Sequence, residues 1–220
     1  MAFRRRQKRS REVTELSKLD ATPPWETRIR DEPDTTTGPY DERDAPEDDI
    51  PRADLGSLRI PIGTGLDLQL EVNENKQVVS ATLSAPDGTM QLGLFAAPRN
   101  EGIWEDVRGE LATSLREQRG NPKERHGGAF GVELTATIAG PNGRLPVRFI
   151  GVDGPRWFLR AMLAGAPADP AHAEGFEQLL KQVVVVRGTD PLPVRDPVPL
   201  ELPKDIELPE ELRDQSEEDG

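Results

Sequence analysis

The chain has 220 residues, with 28 Lys and Arg against 40 Asp and Glu for a net charge of −12, 35% hydrophobic residues, 21 prolines and no cysteine. These values exclude disulfide staples, thiolate metal sites and a cysteine nucleophile, and the acidic balance speaks against nonspecific nucleic-acid binding by the chain as a whole. Low hydrophobic content and unevenly placed prolines imply one folded core between unfolded arms.

Residues 1–52 carry few apolar residues and no sustained period, which predicts a disordered arm, basic and then acidic. Its first turn of sequence holds Arg4, Arg5, Arg6, Lys8, Arg9 and Arg11. No apolar segment follows them, so a secretory signal is not expected. Nowhere does an apolar run approach the ~20 residues that span a bilayer, and the expected location is the cytoplasm. Trp25 after two prolines could anchor to a partner, and Thr35, Thr36 and Thr37 could accept phosphate. For all three features an inert, solvated arm is the simpler reading.

Residues 53–189 read as an α+β core. In "DLGSLRIPIGTGLDLQLEV", Leu66, Leu68 and Leu70 alternate with Asp67, Gln69 and Glu71, the mark of a half-buried strand. "VVSATLSAPDGTMQLGLFAAP" gives two strands about Pro86-Asp87-Gly88, a hairpin signal. The period then changes: Trp104, Val107, Leu111 and Leu115 predict a helix from Gly102 to Arg119, stopped by Gly120-Asn121-Pro122. "FGVELTATIAGPNGRLPVRFIGV" supplies two more strands around residues 140–143, and "RWFLRAML" a further one. In "ADPAHAEGFEQLLKQVVVV", Asp169 stands as N-cap and Pro170 at the first position of a second helix, after which Val183–Val186 return to extended chain. Short connections between these elements favour antiparallel pairing, so the expected architecture is two helices packed on an antiparallel sheet. Residues 190–220, with proline every few positions, predict an acidic, extended tail or strap.

The sequence carries few patterns of catalytic residues. "IGTGLD" places Leu68 where a dinucleotide fingerprint needs its third glycine, and no helix follows. "RHGGAFG" resembles part of an esterase oxyanion hole, yet no GxSxG elbow accompanies it, and Gly127, Gly128 and Gly131 suit a bulge or tight strand entry better. His126 and His172 stand alone, without metal-ligand spacing. No catalytic residue, metal or cofactor is assigned.

The stretch that draws attention is "FIGVDGPRWFLRAMLAG", a polar knot between apolar runs. A two-residue turn on Asp153-Gly154 would need an N–H from Pro155, which has none, so a wider turn over Asp153–Arg156 is expected, with Val152 facing Trp157 and Ile150 facing Leu159. Apolar residues on both faces place this strand pair centrally in the sheet. A structural turn is the simpler reading, but Asp153, Arg156 and Trp157, together with Arg148 and Arg160, are the candidate binding residues, Arg and Trp being enriched at interaction hot spots.

"GPYDERD", "DLGSLRIP", "LGLFAAPRNEGIWEDVRGEL", "GAFGVEL", "RFIGVDGPRWFLRAML", "VVVVRG" and "PVPLELP", in this order, resemble the actinobacterial family catalogued as domain of unknown function 3710 (DUF3710). The resemblance covers residues 38–203 and is most specific around Trp157. It implies an intracellular bacterial protein and brings no activity, cofactor or catalytic residue with it. The element order is also loosely similar to the Mog1/PsbP-like α+β fold, and fold alone does not fix function. The leading expectation is therefore a noncatalytic protein-interaction or adaptor module with an unidentified protein partner. The alternative is a small-molecule-binding protein or unrecognised hydrolase with a pocket near Asp153 and His126. A weaker one is nucleic-acid or membrane-surface association through the basic arm.

Overall fold

The computed structural model describes residues 37–141 and 143–203. Its framework is a seven-stranded antiparallel sheet in the order β4-β5-β6-β10-β9-β8-β7. The strands are β4 (Asp67–Val72), β5 (Val78–Ala85), β6 (Gly88–Ala96), β7 (Lys123–Gly128), β8 (Gly131–Gly140), β9 (Gly143–Gly154) and β10 (Trp157–Gly165). A second, four-stranded sheet joins β1 (Tyr40–Asp41), β11 (Val184–Val185), β3 (Leu58–Pro61) and β2 (Arg52–Asp54), with β1 and β11 parallel. The described residues also form two α-helices, α1 (Trp104–Glu117) and α2 (Glu174–Lys181).

Strand alternation sorts the side chains onto two faces of the large sheet. One face carries Ala81, Leu83, Met90, Leu92, Leu94, Ile150, Val152, Leu159, Ala161 and Leu163, all buried, against Leu58 and Ile60 of the small sheet and Phe176 and Leu180 of α2. The other carries Leu134, Val147, Phe149 and Phe158 against Ile103, Trp104, Ala112 and Leu115 of α1. Helix α1 lies over β8 and β9. Over β4, β5 and β6 this second face keeps polar, solvent-reached side chains: Gln69 and Glu71 are exposed, and Thr82, Thr89 and Gln91 are half-buried.

The helix expected from Gly102 to Arg119 is found, as are the hairpins at Pro86-Asp87 and residues 140–143 and the extended segment after the second helix. Three readings are corrected. The expected single sheet is accompanied by a small second one, because Tyr40–Asp41 and Val184–Val185 pair with each other and the latter with β3. Asp169 accepts a hydrogen bond from Ala171 N at 3.0 Å, but it caps a 3-10 turn at Pro170–His172; α2 starts only at Glu174. The third is the central hairpin, whose loop holds two residues where four are expected. A polar edge strand, β7, was not read from the sequence, although the bulge expected at its glycines is present as a register shift between Arg125 and Gly128.

Packing continues past residues 53 and 189 in both directions. The proline-rich segment after Asp190 enters where β5 and β6 diverge: Val198 N donates to Leu94 O and Leu200 N to Val78 O, both at 2.9 Å. Val198 and Leu200 are buried there. Prolines are tolerated because the intervening positions need no donor toward the sheet. Arg4–Arg11, Trp25, Thr35, Thr36 and residues 204–220 lie outside the described residues.

Candidate functional site

Four of the five candidate residues sit on β9 and β10, the fifth and fourth strands of the large sheet, as the apolar pattern on both faces predicts, and Arg156 lies in the turn that joins them. Their turn is tighter than expected. Gly154 pairs with Trp157 and Val152 with Leu159, leaving only Pro155 and Arg156 in the loop, with Arg156 at φ 69°. Pro155 at the second and a positive-φ residue at the third position make the pattern of a type II turn, which usually takes glycine at the third. An arginine there is invisible to turn rules. The shift of two residues preserves which side chains share a face, because strand periodicity is two.

Most residues of "GVDGPRW" then have a definite mechanical task. A side chain on Gly151 would sit 2.2 Å from the Trp104 ring, so its absence is what seats that ring on β9. Trp104 stacks on Phe158 at 5.9 Å and donates through Nε1 to Val132 O at 2.7 Å. Asp153 accepts hydrogen bonds from Ile103 N at 2.8 Å and Trp104 N at 3.2 Å. It therefore caps α1 from another element, in place of the missing local cap. Burial raises the Asp153 pKa, and the two backbone donors oppose that shift in part. On the opposite face the Trp157 ring fills the place a Gly154 side chain would take, and its Nε1 donates to Asp41 at 3.0 Å, fastening β1 to the hairpin.

Arg156 donates to the carbonyls of Gly188, Thr189 and Asp190 at 3.2–3.3 Å, while its own carbonyl accepts from Arg187 Nε at 3.0 Å. It holds the start of the C-terminal strap. Arg148 is completely buried and pairs with Glu133 at 3.2 Å and Glu177 of α2 at 2.8 Å, so it is an internal ion and not a surface contact. Arg125 adds a second cation to Glu133 at 2.9 Å. The partners of Arg148 come from β8 and α2; the one sequence signal for them is the isolated glutamate in "GVELTATI".

Arg160 differs from these four. Half-buried on the open side of the sheet, its guanidinium lies over the Phe95 ring at 5.1 Å. Among the described residues it has no hydrogen-bonding or ion-pair partner. Burial lowers its pKa, but an arginine keeps its charge at any physiological pH. Phe95 was not singled out from the sequence; it sits in an alternating strand like any other core residue. The structure thus brings Asp153, Arg156 and Trp157 to one end of the hairpin, places Arg160 further along β10, and sets Arg148 inside the protein.

Near Asp153, a recess of about 90 Å³ is lined by Gly38, Pro39, Tyr40, Asp41, Trp157 and neighbours. Pockets that enclose metabolites run to about 300–1,000 Å³. His126, on the edge strand β7, is exposed and does not line it. A larger hollow along the outer side of α1, between Asp106, Glu110, Gly109 and Arg195, is open to solvent, and Arg195 is already paired there with Glu110 at 2.7 Å. Among the described residues no group of three or more potential ligands is placed to hold a metal, and no helix is long and apolar enough to cross a membrane.

These elements define the class: an α+β protein on a mostly antiparallel sheet, organised around one central hairpin that anchors a helix, a strand and a strap. The chain belongs to the family described as "Protein of unknown function (DUF3710)", whose model matches residues 38–208. No curated protein matches it. Among solved structures it is similar to a protein from Bacteroides thetaiotaomicron VPI-5482, at 11% identity and a TM-score of 0.37, over 60% of this chain and 46% of that one. It is also similar to cyanobacterial PsbP (CyanoP) from Synechocystis sp. PCC 6803, at 12% identity and a TM-score of 0.37, over 62% of this chain and 92% of that one.

Proposed function

We propose that this protein is a noncatalytic interaction module of the cytoplasm, and that the open face of its large sheet, with Arg160 as the fixed cation, is the surface that meets a protein partner. The observation that carries this reading is the contrast among the five candidates. Asp153, Arg156, Trp157 and Arg148 are each engaged with this chain's own groups, whereas Arg160 is stacked on Phe95 with its donors unused among the described residues. Stacking fixes the guanidinium plane before binding, so little side-chain entropy is lost when a carboxylate meets it. On the same open face Thr82 and Gln69 are neutral, solvent-reached side chains, while Gln91 donates to Glu71 and Ser80, and such a surface suits a macromolecule better than a small ligand. The small recess at Asp153 gives the metabolite-binding and hydrolase alternatives no comparable support.

The test is affinity capture from a native lysate with the full chain and with Arg160→Gln, both verified as folded by circular dichroism. The proposal predicts a partner retained by the unaltered chain and lost with Arg160→Gln. Equal retention by both chains, or no specific partner, would overturn it.

A further inference from the structure

The two edges of the large sheet are treated differently. At one edge, β7 carries Lys123, Glu124, Arg125 and His126, loses register between Arg125 and Gly128, and turns through Gly127 at φ 78°. Charge, a bulge and local twist are the devices by which proteins keep an edge from pairing with another chain. The other edge, β4, carries two charges, Asp67 and Glu71, and shifts register only at its end, between Glu71 and Val72; from Asp67 to Glu71 it is regular, and it contains neither proline nor lysine. An antiparallel ladder uses the N–H and C=O of every second residue, so the intervening residues of β4 present theirs outward. Leu66, Leu68 and Leu70 pack half-buried against the core on one face, while Asp67, Gln69 and Glu71 are exposed on the other, and Ile62 and Val72 are exposed apolar side chains at 56% and 50%.

We infer that β4 is a docking edge which accepts one extended segment of a protein partner, added as an eighth strand, with lysine or arginine at alternate positions facing Asp67 and Glu71. Strand addition draws affinity from main-chain hydrogen bonds and selectivity from alternate side chains. The alternate positions facing the leucine side would carry β-branched or other apolar residues, since directly opposed side chains share a face. Charge decides between this occupant and a second copy of the chain. A symmetric antiparallel pairing centred on Gln69 would set Asp67 of each copy against Glu71 of the other, like charge against like, whereas a basic segment makes the same two positions attractive. The inference rests on the interaction-module reading and names the backbone mode of that interaction. Arg160 lies on β10, three strands in from β4. At ~4.8 Å per strand, one partner spans both.

The experiment uses the full chain, isotope-labelled, titrated with a capped heptapeptide alternating lysine and valine while backbone amide shifts are followed by NMR. The expected result is saturable binding with shifts confined to Leu66–Val72 and the facing residues of β5. The glutamate–valine heptapeptide should bind at least ~10-fold more weakly, because like charges then oppose one another across the pair. A lysine–valine peptide methylated on alternate backbone nitrogens should lose binding. The exposed double variant Asp67→Lys with Gln69→Lys should reverse the peptide preference without unfolding. Shifts elsewhere, equal affinity for the two charge types, tolerance of N-methylation, or concentration-dependent dimerisation through β4 would each overturn the inference. Because the probe is a synthetic peptide and Arg160 is unaltered, failure here is separate from failure of the lysate capture.

Discussion

Replacing Asp153 with alanine removes a side-chain acceptor at the start of α1 that serves two backbone donors: Ile103 N and Trp104 N both donate to that carboxylate. Loss of a helix cap costs about 1 kcal/mol, and a hydrogen bond to a charged group is worth about 1.5–3 kcal/mol. Partial burial of the carboxylate, visible in its raised pKa, offsets some of this, so Asp153→Ala should cost about 2–4 kcal/mol. For a domain of this size that is a fall of roughly 5–15 °C in Tm, read by differential scanning calorimetry. Asp153→Asn keeps one acceptor oxygen and should lose about half as much. The pH dependence supplies an independent check. A carboxyl raised above its ordinary value of 3.8 contributes stability that is fully present below that value and lost as pH rises through the folded-state value. The stability advantage of the unaltered chain over Asp153→Asn should therefore be widest at the acidic end and narrow as pH climbs through that window. An Asp153→Ala protein melting within about 1 °C of the unaltered chain would refute the capping role; an advantage over Asp153→Asn that widens across the window would refute the upward shift by burial, since the two backbone donors would then outweigh it.

Three further outcomes follow from packing. Leu200→Ala, in the strap, should cost about 2–5 kcal/mol in chemical denaturation, since this side chain is buried although it lies in a segment whose composition reads as a tail. Arg148→Ala leaves Glu133 fully buried with only Arg125 beside it and should destabilise by about 3–5 kcal/mol; replacing Arg148, Glu133 and Glu177 together with apolar residues should cost less than the single change. Gly151→Ala should displace the Trp104 ring, shifting tryptophan fluorescence and lowering Tm, because the added carbon would fall 2.2 Å from that ring.

Period and turn chemistry made much of this fold legible. Trp104, Val107, Leu111 and Leu115 disclosed α1, and Asp87-Gly88 and residues 140–143 disclosed two hairpins, since each signal is local. What stayed hidden depends on residues far apart in sequence. The strap at Val198 and Leu200 reads as tail because its prolines forbid helix, and only the gap between β5 and β6 makes it a strand substitute. Lys123–Gly128 shows no apolar alternation because an edge strand needs none. Arg148 and Arg160 are alike in sequence, each an arginine in an apolar strand, but opposite faces give one two carboxylates and the other a phenyl ring. The knot at "VDGPRW" was recognisable as important, while its role in fastening Trp104, α1, β1 and the strap emerged only from the pairing.

We propose that the open sheet face works through Arg160. Its most direct measurement is the affinity of a partner captured by the full chain, compared for the unaltered protein, Arg160→Gln and Asp153→Asn at matched folded fraction. At least ~10-fold weaker binding, about 1.4 kcal/mol, is expected for Arg160→Gln, with little change for Asp153→Asn. Equal affinity for the unaltered chain and Arg160→Gln would contradict it.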